Sequence, residues 1–178
     1  MTYTPIIGTL AYLLDRTNRA EPAVLLVHRI ARADDEHLGK WNGLGGKLEP
    51  KEDVAAGMRR ELREEASIEV TAMVLRGTVN WPGFGPNGED WLGFVFLVTR
   101  WDGTPPTTNV EGNLEWIALH RLLQACDSDD AVRIGADLPM WEGDRQFLPL
   151  VFDDNPLAFH GVMPYAGGRP ESWTFERW

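Results

Sequence analysis

The residues best suited to chemistry are Glu61, Glu64 and Glu65, which lie in the run from Gly46 to Ile68. The stretch from Asp53 to Glu65 has no proline and a single glycine, so it can form one continuous helix. On that helix Glu61 lies one turn before Glu64 and Glu65, and the three carboxylates share a face. Clustered like charges require a compensating cation. Hard carboxylate oxygens suit Mg²⁺ or Mn²⁺, and these ions in turn bind phosphates.

A purely structural interpretation of this helix is also available. The same glutamates could form a solvated face with ion pairs to Arg60 and Arg63. That interpretation does not account for the glycine-rich residues 43–46, nor for the separation between Glu52 and Arg60. We therefore favour the functional interpretation.

The segment resembles the Nudix box, whose pattern is glycine, five residues, glutamate, seven residues, Arg-Glu-aliphatic, one residue, Glu-Glu, one residue and glycine-aliphatic. The positions that match at the required spacing are Gly46, Glu52, Arg60, Glu61, Leu62, Glu64, Glu65 and Ile68. Ser67 stands where the pattern has its second glycine. That glycine follows the helix C-terminus in a left-handed conformation, which costs a serine about 1 kcal/mol. The cost falls on stability rather than on the metal ligands.

The resemblance implies a hydrolase that cleaves a nucleoside diphosphate linked to another group, with Mg²⁺ or Mn²⁺ as cofactor. In this family Glu61 and Glu65 match principal metal ligands, and Glu64 matches a further ligand or a candidate base. The carbonyl of Gly45 matches a backbone ligand. Arg60 is expected to orient a carboxylate by a bidentate pair.

Two further carboxylates are implied near this site. Glu52 is expected to support the loop geometry or an outer metal shell. Glu111 occupies the place where similar proteins carry a carboxylate outside the box, as a metal ligand or general base. A solvated loop glutamate is the alternative for Glu111, and Glu115 competes for the same role.

Substrate selection must come from other parts of the chain. The run from Trp41 to Lys47 resembles the residues before the box in 8-oxo-dGTP diphosphatases, and the run from Met140 to Pro149 resembles their base-binding region. An indole face can stack on a purine, while an amide and a carboxyl can bind its polar edge. We therefore expect Trp141 to stack on the base, with Asn42 and Asp144 contacting its edge.

The base-binding run departs from that branch at Gly143, where the branch carries the first of two acidic residues. This weakens the case for strict selectivity toward an oxidised guanine. Glu142 is adjacent but points differently. Arg29 and Lys47 are weaker substrate-binding candidates, and an ordinary buried aromatic is the alternative for Trp141.

The remaining pattern predicts a mixed α/β (α+β) fold. Asp15–Pro22 predicts a hairpin turn, and residues 29–40, 82–88 and 102–112 predict loops. Short helices are predicted at Leu119–Ala125 and Asp144–Phe152. Strands are predicted at Ile6–Leu14, Ala23–His28, Leu44–Leu48, Ile68–Asn80, Trp91–Arg100, Leu114–Ala118, Ala158–Tyr165 and Ser172–Trp178. The resemblance implies an α/β/α sandwich with a mixed sheet, formed as one domain over residues 1–178.

Composition sets the outer bounds. With 178 residues, 43% of them apolar, and a formal charge of −10, the chain suits one globular domain that repels nucleic-acid polymers. We expect packing roles for Cys126 and the four histidines, because neither type shows ligand spacing. Neither a signal peptide nor a bilayer-spanning run is apparent, so we expect a cytoplasmic protein without a membrane partner, either monomer or homodimer.

Three hypotheses follow. The leading one is a Mg²⁺-dependent pyrophosphohydrolase that converts a purine nucleoside triphosphate, oxidised or not, to the monophosphate and pyrophosphate. The second is a hydrolase of another linked diphosphate, such as ADP-ribose or a dinucleoside polyphosphate. The third is a nucleotide-sensing module that binds without turnover.

Overall fold

The computed structural model describes residues 2–31, 33 and 37–178, so the predicted loop at residues 29–40 lies partly outside the described residues. The elements, in chain order, are β1 (Ile6–Asp15), β2 (Ala23–Arg29), β3 (Trp41–Asn42), α1 (Val54–Ala66), β4 (Glu69–Trp81), β5 (Trp91–Asp102), β6 (Gly112–Ala118), α2 (Leu119–Gln124), α3 (Asp130–Gly135), α4 (Asp144–Phe152), β7 (Phe159–Val162), β8 (Tyr165–Ala166), β9 (Arg169–Pro170) and β10 (Thr174–Arg177).

The main sheet is mixed, as predicted. Its strand order is β10-β7-β4-β5-β1-β2-β3, and β6 pairs with β2 on a branch from this path. The β1–β5 and β4–β7 pairs are parallel, whereas β1–β2 and β4–β5 are antiparallel. The predicted hairpin and the second strand pair are therefore confirmed. Two short strands, β8 and β9, form a separate ribbon.

Successive side chains of β1 point to opposite faces of this sheet, and an apolar core forms on each face. Tyr12 and Leu14 belong to a core that includes Phe147 of α4. Ala11 and Leu13 belong to the other core, which includes Leu62 of α1. Helices therefore cover both faces, and the predicted α/β/α sandwich is confirmed.

Helix α1 packs through the apolar stripe that its sequence predicts. Met58 and Leu62, one turn apart, are fully buried against the sheet, and Val54 packs at the edge of the same core. Burial of this stripe leaves the glutamate-bearing face of α1 free for chemistry. No helix among the described residues has the length and apolar character needed to cross a membrane.

Three predictions about elements are wrong. Residues 44–48 are not a strand: only isolated bridges join Leu44 to Ala11 and Lys47 to Gly8, because Gly45 between them has a φ of +146° that a regular strand does not use. The predicted strand Ala158–Tyr165 divides into β7 and β8 around Pro164, which has no N–H for a ladder. The predicted Ser172–Trp178 strand shortens to β10. Strands β3 and β9 and helix α3 were not predicted.

Helix α4 is held to the sheet by a buried arginine. The Arg76 side chain is only 8% exposed and lies in β4. Its guanidinium donates to the carbonyls of Leu150, Val151, Asp153 and Asn155 at 2.9–3.1 Å and pairs with the Asp153 carboxylate at 2.9 Å. These carbonyls belong to the last turn of α4 and the residues after it, groups that a helix end leaves unpaired. Arg76 therefore fixes the helix on which Asp144 lies.

Candidate active site

Helix α1 has well-defined ends. At its start Asp53 accepts hydrogen bonds from the N–H groups of Ala55 and Ala56, both at 2.9 Å. At its end Ser67 adopts the left-handed conformation, with φ 54° and ψ 39°, and its N–H donates to the Arg63 carbonyl at 3.1 Å. The serine therefore takes the conformation expected of the box glycine and carries the strain predicted for it.

The glycines before α1 are required by close approach. A Cβ on Gly45 would lie 2.1 Å from the Thr9 carbonyl oxygen, and one on Gly46 would lie 2.5 Å from Glu61 Oε1. The Gly46 carbonyl accepts a hydrogen bond from the Thr9 N–H at 2.8 Å. The Gly45 N–H instead donates to Glu65 Oε2 at 2.9 Å. The loop is thus held between β1 and the carboxylates of α1.

Arg60 connects the two ends of the box. It makes the expected bidentate pair with Glu52, Nε to Oε1 at 2.7 Å and Nη2 to Oε2 at 3.1 Å. Its Nη1 also donates to Glu61 at 2.9 Å and to Glu64 at 3.3 Å. The hydrogen bond to Glu52 leads the effects that raise the pKa of Arg60 still further. Glu52 also accepts from the Glu49 N–H at 3.0 Å, so it holds the loop as expected.

Glu65 carries a proton far more readily than an ordinary glutamate. Desolvation by burial, and then the negative charge of Glu111, raise the pKa of Glu65 to about 8. Burial also raises the pKa of Glu61, although Arg60 opposes this effect. Glu111 lies close enough to act on both residues, and Arg29 binds it at 2.5 Å. Glu115, the competing candidate, is exposed in β6.

The carboxylates have the donor chemistry of a hard-cation site. As placed, Glu61 and Glu64 turn toward Arg60 and Glu65 turns toward Gly45, and no three acidic, histidine or cysteine side chains in the described ranges converge tightly enough to hold a metal ion. The three glutamates nevertheless line one open depression of about 460 Å³, opposite residues 106–110. A divalent cation would favour the ionised form of Glu65, which burial alone disfavours.

A second cluster forms around Trp141. Its indole Nε1 donates to His37 Nδ1 at 2.7 Å, and Asn42 Nδ2 lies 3.1 Å from the same nitrogen. Because an indole N–H can only donate, His37 Nδ1 must accept. Phe84 packs edge-on against Trp141 at 5.7 Å, and Lys40 Nζ lies 4.2 Å from the centre of the indole ring. Asn42 and Trp141, both predicted to contact a base, thus share a contact through His37.

Asp144 lies beside this cluster at the start of α4. Its N–H donates to the Trp141 carbonyl at 3.1 Å. Asp144 as a whole is partly exposed, but its carboxyl group is surrounded by protein. This desolvation raises the pKa of Asp144 to about 7. The charge of Asp144 acts on Tyr12, whose hydroxyl is buried without a hydrogen-bond partner among the described residues. Asn42 Oδ1 is buried and unpaired in the same sense. Both atoms keep unused hydrogen-bonding capacity.

The family follows from a match along most of the chain. The profile of the NUDIX domain matches residues 4–149. The chain belongs to the Nudix family. Nudix hydrolases act on the pyrophosphate bonds of nucleotides and generally need a divalent metal such as Mg²⁺.

Named relatives of this Nudix protein are distant. The Bacillus subtilis protein YvcI, an uncharacterized Nudix hydrolase, is 26% identical over 163 residues, covering 88% of this chain and 89% of that one. The Mus musculus oxidized purine nucleoside triphosphate hydrolase is 26% identical over 122 residues, covering 68% and 69%. A MutT protein from Bacillus halodurans has a TM-score of 0.74 at 24% identity, covering 96% and 97%, which shows a shared fold.

The remaining predicted residues of this Nudix protein have other contacts. Lys47 Nζ lies 5.4 Å from the Trp91 ring centre, and its carbonyl accepts from Arg60 at 3.1 Å. Arg29 forms a salt bridge with Glu111. Cys126 donates to the Leu122 carbonyl at 3.3 Å, and burial, followed by the charge of Asp144, raises the pKa of its thiol to about 12. A thiol of that kind is a packing group and a poor nucleophile, as the sequence predicts.

Sequence reasoning missed four residues at the second cluster: His37, which was expected only to pack, and the aromatic residues Tyr12, Phe84 and Tyr165. Phe84 lies in the glycine-rich loop between β4 and β5, and an aromatic flanked by glycines was the available signal. In the sequence, Tyr12 lies in an apolar strand and is indistinguishable from an ordinary core residue. Tyr165 is far from the box in sequence, and its ring packs on Phe84 at 5.0 Å.

Proposed function

We propose that this Nudix hydrolase converts purine nucleoside triphosphates, oxidised ones among them, to the monophosphate and pyrophosphate. The observation that carries the proposal is the meeting of Trp141 and Asn42 at His37, with Asp144 hydrogen-bonded to the Trp141 backbone. An aromatic face flanked by an amide and a carboxyl suits a purine base. The name of the Mus musculus relative agrees with this substrate class.

The metal site would be formed by Glu61, Glu64 and Glu65, with Glu111 and the Gly45 carbonyl as further ligands. When bound there, Mg²⁺ or Mn²⁺ supplies positive charge that offsets the charge developing on the phosphate oxygens. Burial of these carboxyl groups supports the assignments. It raises the pKa values of Glu65 and Glu61, and a carboxyl group whose ionised form is disfavoured by burial gains most from a nearby cation.

The protein's own groups position the reacting centre. Arg60 holds Glu61 and Glu64 of α1, and Glu52 in the preceding loop, by charge-assisted hydrogen bonds, so these carboxylates keep defined positions. Glu64 is the most exposed of the three glutamates on α1, with 59% of its side chain accessible, and can exchange a proton with solvent. We therefore assign Glu64 or Glu111 as the residue that accepts a proton from the attacking water.

Base selection would occur at the second cluster. Stacking of a base on an aromatic side chain contributes about 1–3 kcal/mol. Asn42 Oδ1, which has no partner among the described residues, can accept an N–H of the base, and Asp144 can accept or donate according to its protonation. Lys40, above the indole, and Lys47 supply positive charge for the phosphates in a chain of net charge −10.

We also infer that residues 1–178 form one domain that acts on small nucleotides as a monomer or homodimer. Strands β7 and β10 lie beyond residue 149 and extend the main sheet, which supports a single unit. The net charge of −10 opposes binding of nucleic-acid polymers.

The test is steady-state hydrolysis of a nucleotide panel with Mg²⁺: dGTP, dATP, their 8-oxo forms, dCTP, ADP-ribose and diadenosine tetraphosphate. We expect purine triphosphates to give the highest kcat/KM, with pyrophosphate as product and no turnover in EDTA. Turnover of ADP-ribose or the dinucleotide alone would replace our substrate class. Thermal stabilisation by nucleotide without any product would instead indicate a sensing module.

A further inference from the structure

The space next to Gly143 is filled by Tyr165. A Cβ on Gly143 would lie 2.2 Å from Tyr165 Oη and 2.5 Å from Met163 Sδ. Contacts this short do not occur, so any side chain at residue 143 would have to displace the tyrosine. Residue 143 is the position at which this chain departs from the resembled branch. The space that its side chain would use is filled by the hydroxyl of Tyr165, which lies 22 positions later in the sequence.

Tyr165 is held firmly in this place. The residue is 8% exposed, and its N–H donates to the Pro82 carbonyl at 2.8 Å. Its ring packs edge-on against Phe84 at 5.0 Å, and Phe84 in turn packs against Trp141 at 5.7 Å. The Tyr165 ring is thus linked through Phe84 to Trp141, the proposed stacking platform.

The Tyr165 hydroxyl is neutral. Burial, and then the charges of Asp144 and Glu142, raise its pKa, and a hydrogen bond from the Gly143 N–H only partly opposes them. An ionised carboxylate can only accept hydrogen bonds, whereas a neutral hydroxyl both donates and accepts by rotating its proton. A hydroxyl therefore tolerates either an oxo or an amino group on a base.

We propose that Tyr165 is a specificity-determining residue of the base pocket, and that its hydroxyl makes the pocket accept both 6-oxo and 6-amino purine nucleoside triphosphates. This inference rests on the proposed function. Within that substrate class, Tyr165 supplies a donor-acceptor group where a side chain at residue 143 would otherwise project.

The first experiment compares wild type with Tyr165→Phe, which removes only the hydroxyl and keeps the ring on Phe84. The substrates are dGTP, dATP and the triphosphate of unsubstituted purine deoxyriboside, which has hydrogen at C6. We expect wild type to use dGTP and dATP within about tenfold of each other. Tyr165→Phe should lower kcat/KM for both by about 3- to 10-fold, mainly through KM, and leave the unsubstituted purine within about twofold.

Tyr3→Phe is the matched control, because it removes the hydroxyl of a tyrosine that is 50% exposed. It should leave all three kcat/KM values unchanged. Equal loss on all three substrates in Tyr165→Phe, or no loss, would overturn the inference while leaving the hydrolase assignment intact. Absence of triphosphate turnover in wild type would instead overturn the proposed function.

A second measurement does not depend on activity. Gly143→Asp should lower the melting temperature, and it should lower it less in a Tyr165→Gly background than in the wild-type background, because deletion of the tyrosine ring opens the space. If Gly143→Asp is as stable as wild type, the hydroxyl does not occupy that space and the inference fails.

Discussion

The carboxylate face of α1 and the cluster around Trp141 satisfy their polar groups in opposite ways. On α1 Arg60 binds Glu52, Glu61 and Glu64, and Gly45 binds Glu65, so each carboxylate already has a protein partner. Around Trp141 two buried atoms, Tyr12 Oη and Asn42 Oδ1, have no partner within the described part of the chain. Such atoms cost free energy unless a ligand binds them. The first region therefore holds its own charges in place, whereas the second keeps hydrogen-bonding capacity that our proposal assigns to a base.

This contrast separates the effects of substitutions. Changes on α1 should lower turnover of every nucleotide by a similar factor, because they alter the phosphate chemistry common to all. Changes around Trp141 should alter KM and the ranking of nucleotides, because they alter contacts with the base. A variant on α1 that changed the ranking of nucleotides would contradict this distinction. So would a variant around Trp141 that lowered the turnover of every nucleotide equally.

The largest effect is expected for Glu65→Gln, which keeps the shape of the side chain and removes its charge. We expect kcat to fall about 10²- to 10³-fold for all triphosphates, since a preorganised electrostatic group is lost. Glu69→Gln is the control, because Glu69 is an exposed glutamate that pairs with Arg63 beyond the end of α1. The measurement is the steady-state kcat of both variants at saturating Mg²⁺. Equal values in the two variants would show that Glu65 has no part in turnover.

A smaller and selective effect is expected for Trp141→Ala. Loss of stacking should raise KM for purine triphosphates by about 5- to 100-fold while kcat changes little. Trp178→Ala provides a matched control, because that indole is 74% exposed. A uniform fall in kcat with unchanged KM would contradict the assignment of Trp141 to the base.

The Asp144 carboxyl should make stability depend on pH. Burial raises its pKa to about 7 from an ordinary 3.8, so the folded protein binds the proton more tightly than the unfolded chain. Stability from this group is present below about pH 4 and is lost as pH rises through about 7. Asp144→Asn has no such loss.

The melting temperature of Asp144→Asn, measured in EDTA, should therefore rise relative to wild type between pH 4 and pH 8, by on the order of 5 °C. Asp154→Asn, at an exposed position, should track wild type at each pH. A constant difference between Asp144→Asn and wild type across this range would show that Asp144 is solvated.

The smallest effect is expected for Ser67→Gly at the end of α1. Ser67 has a φ of 54°, which glycine adopts without strain, so the variant should gain about 1 kcal/mol, or about 2–4 °C in melting temperature. Activity should stay within about twofold of wild type, because only the backbone conformation is relieved. Ser172→Gly, in an exposed segment, should show no such gain.

The two regions also differ in how far the sequence predicts them. The glutamates of α1 are close in sequence, and helical spacing alone places them on one face. The bidentate partner of Arg60 is only eight positions away, at Glu52. The strained conformation of Ser67 followed from its place in the box.

The pocket depends on contacts between distant residues. Trp141 and His37 are 104 positions apart, and no local pattern predicts their hydrogen bond. Tyr165 fills the space at Gly143 only because the chain turns after β7, a tail whose strand boundaries were predicted incorrectly. The Leu44–Leu48 prediction failed because apolar content does not reveal that Gly45 leaves the β region. Side-chain roles at such positions require three-dimensional information.

The buried Arg76 has a consequence for the evolution of the pocket. Its planar guanidinium anchors the C-terminal end of α4 through five acceptors on four residues, a geometry that the single ammonium of lysine does not reproduce. Even a charge-conserving replacement would therefore loosen the C-terminal end of the helix that carries Asp144, the residue proposed to contact the base. A position with no proposed role in binding or chemistry thus constrains which nucleotides the protein can come to prefer.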